Sequence, residues 1–591
     1  MADQVAAFRP RTVYQQLRPL GPYLARYRRP LLVGLLMLVV TNVVWMLFPR
    51  VVGAAIDALR TEVSRNQLGT YALLLVLIAL TTGFFRFWMR WILIGVSRDI
   101  EYELRNDLFR HLTRQSARFY SGQRIGDLMT RATSDISYVR MVLGPGIMYS
   151  ANALLAFPIA IAWMVHIDWQ LTLFALLPVP VISYAVKFFG QRIHERSERI
   201  QGKFSDLTAR VQENLAGVRL LRAFCQEDSE VRAFDRLNRD FMRQNRGLII
   251  LQGLFWPFLE ALLGVAFLLV LWFGGHAVLA QRITLGAFVA FTQYMLFLTW
   301  PMIALGWVVN LFERGAASMG RLNQLLTTEP EIIDRSAAEA AREIRGAIEF
   351  RNLNFRYNGV PVLQNINLKI AAGQTLAIVG PTGSGKSTLI SLLTRLYDPP
   401  PGSVLIDGIP VEQHRLETLR RAIGCVPQET FLFSEKLREN IAFGVAEASE
   451  EQVREAATIA GLAEDVEDFP RGFDTLVGER GLTLSGGQKQ RTAIARALLR
   501  NPRILVLDDA LSSVDTYTEE KILQQLTRVL RERTTILISH RVSTVRHADL
   551  IVVLQGGAVV ERGTHEELLV QGGYYYDLYQ KQLLEEELER T

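Results

Sequence analysis

Six apolar stretches, each long enough to cross a lipid bilayer, lie before residue 315 of this 591-residue chain, and none lies after it. A spanning helix needs about 20 mainly apolar residues. Pro30–Ile56, Tyr71–Val96, Met141–His166, Trp169–Phe189, Leu248–Leu279 and Leu285–Phe312 meet that requirement. With no water in the hydrocarbon layer, every backbone N–H and C=O in them must be paired internally, so they are helices. This divides the chain into a membrane half and a water-soluble half. The mean hydropathy of +0.16 agrees, being high for a soluble protein and low for a wholly membranous one.

Arginine placement orients the spans. The connection between spans two and three carries Arg98, Arg105, Arg110, Arg114, Arg118, Arg124, Arg131 and Arg140, and the first 29 residues carry Arg9, Arg11, Arg18, Arg26, Arg28 and Arg29. Both segments are therefore expected on the cytoplasmic side. The net charge of +6 is concentrated beside the spans and is no nucleic-acid footprint. The connections after spans one, three and five are short, whereas those at 97–140 and 190–247 are long, amphipathic and Arg-rich. The long ones read as helical extensions into the cytoplasm. No signal peptide is read at the N-terminus, and Val13–Arg29 is expected to form an interfacial helix. Cys225 and Cys425 lie too far apart for a ligand or disulfide pattern and read as packing thiols.

The stretch "TTEPEIIDRSAAEAAREIRG" reads as a linker. From Ala347 onward, short β-type runs ("IEFRNLNF", "LAIVG", "SVLID", "AIGCVP", "ILVLD", "TILISH", "LIVVL") alternate with helical segments. That alternation predicts an α/β domain with a largely parallel sheet. The expected boundaries are 1–29 for the interfacial segment, 30–320 for the membrane domain, 321–346 for the linker and 347–591 for the α/β domain.

Within "LAIVGPTGSGKST" a strand leads into G-x-x-x-x-G-K-S and then a helix. Gly380, Gly383 and Gly385 let the backbone wrap an anion, with Thr382, Ser384 and Thr388 in the same loop and turn. Lys386 is placed to reach the β- and γ-phosphates, and Ser387 to offer a hydroxyl to Mg²⁺. "ILVLD" ends in Asp508 at the carboxyl end of a buried strand, where a metal ligand is expected, and Asp509 follows it directly.

"LSGGQKQR" (Leu484–Arg491), "VPQ" (Val426–Gln428) and "ISH" ending at His540 stand in order around these two motifs. Together they resemble the ATPase domain of ATP-binding cassette (ABC) proteins. With six spans N-terminal on the same chain, nearly the whole sequence resembles a half-transporter exporter of that superfamily. The resemblance implies ATP and Mg²⁺ as ligands. It implies that Tyr357 stacks on adenine, that Gln428 contacts Mg²⁺ or water, and that His540 hydrogen-bonds the γ-phosphate. Ser485, Gly486, Gly487 and Gln488 are implied to clasp an ATP bound to the other subunit, and Asp515 to lie in the turn between the two sites. In that family the residue after the metal-binding aspartate is normally a glutamate that polarises the attacking water, and here it is Asp509. With Asp509, His540 and Gln428 as the catalytic set, the site on this chain is expected to hydrolyse slowly, while its signature motif is intact. That asymmetry implies a heterodimer whose partner supplies the glutamate. A homodimeric lipid flippase or exporter with two slow sites is the alternative.

Two loops also resemble the family: Arg118–Ile136 as the first intracellular loop, and Glu213–Glu227 as the second, with Glu213, Arg219 and Phe224 as contact residues. Glu260 and Arg86 are the ionisable residues within spans to watch, as cavity-lining groups or partners of each other. Expected partners are the lipid bilayer, a small hydrophobic substrate and a second half-transporter, with no nucleic acid. The expected location is a bacterial inner membrane. Drugs, lipids and peptides all fit an aromatic, sparsely charged membrane half, so the substrate stays open. A soluble cassette ATPase is disfavoured by the six spans, and a cassette importer by the fusion of both halves on one chain.

Overall fold

The structure, a computed structural model, describes residues 12–60, 64–334, 343–514, 516–530 and 532–590. Asp515, Arg9 and Arg11 lie outside the described residues. The chain forms two compact units, one built from residues up to 113 together with 125–328, the other from 114–124 together with residues from 329 onward.

The first unit is helical. Among the described residues, five helices are long and apolar enough to cross a membrane: Arg28–Leu59, Arg65–Leu112, Ile125–Ile167, Trp169–Ala216 and Glu227–Leu279. A sixth, Leu285–Leu326, runs for 42 residues with Pro301 inside it. Four of them continue well beyond the apolar windows, which is the helical extension expected of the two long connections. The segment before the first span is not one helix. It breaks into Val13–Leu17, a 3₁₀ turn Arg18–Leu20 and Gly21–Arg26. Pro19 and Pro22 at the starts of the second and third pieces explain the breaks, since neither has an N–H to continue a helix.

Prolines also shape the spans. Pro49 ends the first helical piece, Arg28–Trp45, and opens the second, Phe48–Leu59. The Met46 carbonyl freed at that break accepts a 2.8 Å hydrogen bond from the buried Tyr294 hydroxyl on the sixth helix, as a hydrocarbon environment demands. Pro145 sits in a π-helical turn, Val142–Gly146, that widens the third helix where its N–H is missing. At the other end of the first and sixth helices, Gly53 and Gly286 face each other. A Cβ on Gly286 would fall 1.9 Å from the Gly53 carbonyl, so only glycine permits the approach. The Asp57 carboxylate then accepts from the Gly286 N–H at 2.7 Å and from the Thr284 hydroxyl.

On the cytoplasmic extensions, buried Asp135 accepts from Ser318 at 2.9 Å and from Arg321 Nε at 2.9 Å. The bond to Asp135 pushes the Arg321 pKa up. Removing the arginine leaves a buried carboxylate with one hydroxyl donor. Arg321→Met is expected to destabilise this unit by roughly 2–3 kcal/mol, below the loss for a fully enclosed pair because the Arg321 side chain is 47% exposed. A lowered melting temperature of the solubilised protein checks this, and an unchanged one contradicts it.

Among its described residues the second unit has ten strands in two sheets. β1 (Ile348–Tyr357), β2 (Val360–Ile370), β4 (Val404–Ile406) and β5 (Ile409–Pro410) form an antiparallel sheet in the order β2-β1-β4-β5. The six-stranded sheet has the order β10-β9-β3-β8-β7-β6. Its members are β3 (Thr375–Val379), β6 (Ile423–Val426), β7 (Ile504–Asp508), β8 (Thr534–Ile538), β9 (Leu550–Gln555) and β10 (Ala558–Gly563). All its pairings are parallel except β9 with β10. Both faces of this sheet are covered. Leu505, Leu507 and Leu537 enter one apolar core, while Ile504, Val506, Ile536 and Ile538 alternate into another. That two-sided burial is why these strands read as unbroken apolar runs.

Residues 114–124 belong to this unit. Ser116 and Arg118 both donate to Glu331, at 3.3 and 3.0 Å. The second loop ends in a short helix, Val218–Ala223, with no buried residue. Leu220 and Phe224 are more than 60% exposed there, at 64% and 67%. Both cysteines are free and exposed rather than packed, Cys425 because it sits on edge strand β6.

Candidate ATP site

Four adjacent parallel strands deliver the sequence motifs to one place. In the order β3-β8-β7-β6, their carboxyl ends lead into the phosphate loop, His540, Asp508 and Gln428. Ligands of open parallel sheets bind at such ends. A cavity of about 240 Å³ opens there. Thr382, Gly383, Ser384, Gly385, Lys386, Ser387 and Thr388 line it together with Gln428, Asp508, Asp509 and His540.

The loop's shape follows from its glycines. Gly380 and Gly385 have φ of +151° and +102°, which L side chains rarely adopt, and each is also crowded. A Cβ on Gly380 would meet the Leu554 carbonyl at 2.1 Å, and one on Gly385 would meet Leu363 Cδ2 at 2.7 Å. Lys386 opens the helix Lys386–Leu393 and folds back over the loop, donating to the carbonyls of Gly380 and Pro381 at 2.8 and 2.9 Å. Burial pushes its pKa down, opposed by Asp508 and Asp509. Ser384 is 3% exposed and its hydroxyl has no partner among the described residues. An anion cradle has these features: backbone donors, a cation held by weak acceptors, and an orphan hydroxyl.

Asp508 is 6% exposed. Burial raises its pKa, while a hydrogen bond from Ser387 lowers it. A hydroxyl and a carboxylate oxygen thus converge beside the loop, the oxygen donor set a hard divalent cation takes. Asp509 has a left-handed backbone, φ +51°, and its N–H donates to the Ile538 carbonyl at 2.8 Å. Gln582, on the C-terminal helix Tyr574–Arg590, pins the His540 loop through both ends of its amide. It donates to the His540 carbonyl at 2.6 Å and accepts from the Val542 N–H at 2.8 Å.

Tyr357 reaches the rim through a hydrogen bond with Thr388, and its ring packs edge-on against Tyr397 at 5.1 Å. Ser485, Gly486, Gly487 and Gln488 do not line the cavity. They begin the helix Gly486–Leu499, where Ser485 Oγ accepts from the Gln488 N–H at 3.2 Å and Gln488 Oε1 from the Ser485 N–H at 3.0 Å. The Ser485 hydroxyl proton remains free to donate outward. The first amides of the helix have no intrahelical acceptor, so this exposed terminus presents N–H donors outward at the positive end of the helix.

Several residues that sequence reasoning passed over tie the parts together. Buried Gln490 donates to Ser512 Oγ at 2.9 Å and accepts from the Ser513 N–H at 2.9 Å, holding the loop after Asp509 onto the Ser485 helix. Arg541, next to His540, donates to the Val514 carbonyl at 3.1 Å and pairs with buried Glu519. Val362, from a strand absent from the sequence reading, lines the cavity. The nearest signal was Gln490 itself, inside the quoted "LSGGQKQR".

Residues 31–302 match the family model described as ABC transporter transmembrane region, and residues 363–512 match that described as ABC transporter. A probable multidrug resistance ABC transporter ATP-binding/permease protein of Bacillus subtilis is 38% identical over 97% of this chain and 98% of its own length. The multidrug resistance-like ATP-binding protein MdlA of Escherichia coli is 38% identical over 96% of each. An ATP-dependent lipid A-core flippase of Syntrophus aciditrophicus is 36% identical over 90% of this chain and 89% of its own length. A solved bacterial Atm1-family ABC exporter with ATP bound superposes with a TM-score of 0.77 at 30% identity, covering 94% of this chain and 99% of that one. The protein hydrolyses ATP in step with transport, as a multi-pass protein of the bacterial inner membrane with its ATPase domain in the cytoplasm. An anion-cradling sheet edge on a chain with long apolar helices, similar along nearly its whole length to such proteins, places it in the ABC transporter family, among the exporters.

Proposed function

We propose that this chain is one half of a heterodimeric exporter of hydrophobic or amphipathic compounds, in which it carries the weakly hydrolysing ATP site. The observation that carries the reading is Asp509, a short carboxylate on a pinned backbone, on the same chain as an intact, outward-facing Ser485 helix terminus.

In this reading the Gly380–Thr388 loop and Lys386 hold the phosphates, and Lys386 gives up its two carbonyl contacts to do so. Tyr357 stacks on the base. Ser387, Gln428 and Asp508 would hold Mg²⁺, which when bound neutralises phosphate charge as a Lewis acid. His540 orients toward the terminal phosphate, its loop held by Gln582. Asp509 is the water-orienting residue and sits too far back. Ser485, Gly486, Gly487 and Gln488 face the partner's ATP. ATP gripped between two such surfaces draws the ATPase domains together, and loss of the terminal phosphate contacts releases them. The bare tip formed by Leu220 and Phe224, with Glu213 and Arg219 beside it, is the surface this chain offers to the partner's ATPase domain.

The competing reading, a homodimer with two slow sites, takes support from the lipid A-core flippase relative. Tagging this chain and purifying it from native membranes separates the two. A second half-transporter at one-to-one stoichiometry, with substrate-stimulated ATPase in the membrane fraction, is the expected result. A stable homodimer with brisk activity overturns the heterodimer, and soluble, substrate-indifferent activity overturns export.

A further inference from the structure

One cavity of the membrane unit contains donors and no acceptor charge. It has a volume of about 310 Å³ and lies among the first, second, third and sixth helices. Arg86 and Arg90 enter it one turn apart on the second helix, with Tyr149 and Asn152 opposite, and among the described residues no carboxylate lines it. Neither arginine has an ion-pair partner among the described residues, and the acids further along the same helix are engaged elsewhere. Glu101 is taken by Arg98, Arg105 and Arg140, and Glu103 by Arg26. Glu260, the other ionisable group singled out in the spans, makes no ion pair with Arg86 among the described residues.

The site is held for use. The Arg86 guanidinium lies over the Trp45 ring at 5.6 Å, and Trp45 also makes ring contacts with Phe48 and Phe297 at 5.2 and 5.4 Å. Stacking occupies one face of the guanidinium and leaves its in-plane N–H donors open. Asn152 Oδ1 is occupied by buried Asn42, at 3.0 Å, which turns the Asn152 NH₂ away as a further donor. Two like charges at i and i+4 repel, and unpaired cations at membrane depth are costly. An anion relieves both penalties.

The adjoining space is of the opposite character. A second cavity, of about 510 Å³, is lined almost wholly by apolar side chains, among them Phe157, Leu263 and Met295, and Leu296 lines both cavities. We propose that Arg86 and Arg90 form the head-group site of this exporter and that its substrates are anionic amphiphiles, with a phosphate, sulfonate or carboxylate between the guanidiniums and the apolar body extending past Leu296. This rests on the export reading and narrows it to a substrate class.

The test is equilibrium binding to the full chain in phosphatidylcholine nanodiscs without nucleotide, using radiolabelled dodecyl phosphate and dodecyltrimethylammonium, with inorganic phosphate as competitor. Dodecyl phosphate is expected to bind at least tenfold more tightly than the cationic detergent. Inorganic phosphate is expected to displace it only at more than a hundredfold higher concentration. R86Q/R90Q is expected to weaken dodecyl phosphate binding at least tenfold and to leave dodecyltrimethylammonium unchanged, while R86K/R90K stays within about threefold of the unaltered chain. Equal binding of the two detergents overturns the proposal without any variant. So does inorganic phosphate competing at equal concentration, or an unaffected R86Q/R90Q. An E260Q variant that reproduces the arginine loss also overturns it, by showing that these charges pair across a subunit interface. Because no arm contains ATP, failure of the export reading leaves these results standing and appears instead as absent ATP-dependent transport.

Discussion

Asp509→Glu is expected to raise the ATPase rate of the isolated chain on the order of 100-fold, because misplacing a reacting group by about 1 Å costs that much. Aspartate ends roughly 1.5 Å short of glutamate, the length of one C–C bond. The backbone cannot advance to compensate. The Asp509 N–H is bonded to Ile538 at 2.8 Å, and its carbonyl accepts from Ser512 Oγ at 3.0 Å. Both signature helices of an isolated dimer are intact, so the missing methylene is the one defect at each site. Glutamate is less at ease than aspartate at a φ of +51°, a backbone cost of about 1 kcal/mol. A hundredfold rate gain corresponds to about 2.7 kcal/mol of barrier, so the gain wins. Steady-state hydrolysis in nanodiscs, with Lys386→Ala as the background, measures it. An unaltered chain that is already brisk, changed less than twofold by the substitution, would remove Asp509 from the account.

The parts of the fold that could be read in advance were those where one physical demand dominates. Six apolar runs had to be helices, and G-x-x-x-x-G-K-S after an apolar strand had to cradle an anion. β2 and β10 escaped because each has a mixed, half-exposed pattern. Only a register set by neighbouring strands, such as Ile348 opposite Ile370, makes β2 a strand. The domain was therefore read as mainly one parallel sheet when it holds a separate antiparallel one. The residues that lock the site into one geometry escaped for a related reason. Gln490, Arg541 and Gln582 act on backbone groups 23 to 42 residues away. Nothing in their own local sequence reports such a partner. Arg86 was visible as a charge in a span, but the pairing with Arg90, the Trp45 platform and the absence of a lining carboxylate are properties of packing.

In the complex purified from native membranes, Ser485→Arg is expected to lower ATPase activity at least 100-fold, while Asp509→Asn changes it less than about threefold; deleting one donor to a developing phosphate charge alone costs on the order of 100-fold. Ser485 offers a hydroxyl and caps a helix whose first amides point outward. Arginine there removes the hydroxyl and fills the space in front of those amides. The helix itself survives, because losing a cap costs about 1 kcal/mol and its inner face is buried through Gln490, Ala493, Ile494 and Ala497. Gly487 adds a constraint, since a Cβ there would meet the Ser513 carbonyl at 3.2 Å. The surface therefore acts as a unit with the loop after Asp509. Ser485→Thr, which keeps a capping hydroxyl, is expected to retain most of the activity and so separates lost chemistry from lost folding. The two substitutions lie on one chain but address different ATP molecules. In the proposed heterodimer Ser485 faces the ATP on the partner's phosphate loop, where a glutamate would act, and Asp509 faces the ATP on its own loop, where little hydrolysis is expected. Equal losses from both substitutions would mean that two equivalent sites fire together, and the division of labour drawn from Asp509 would have to be given up.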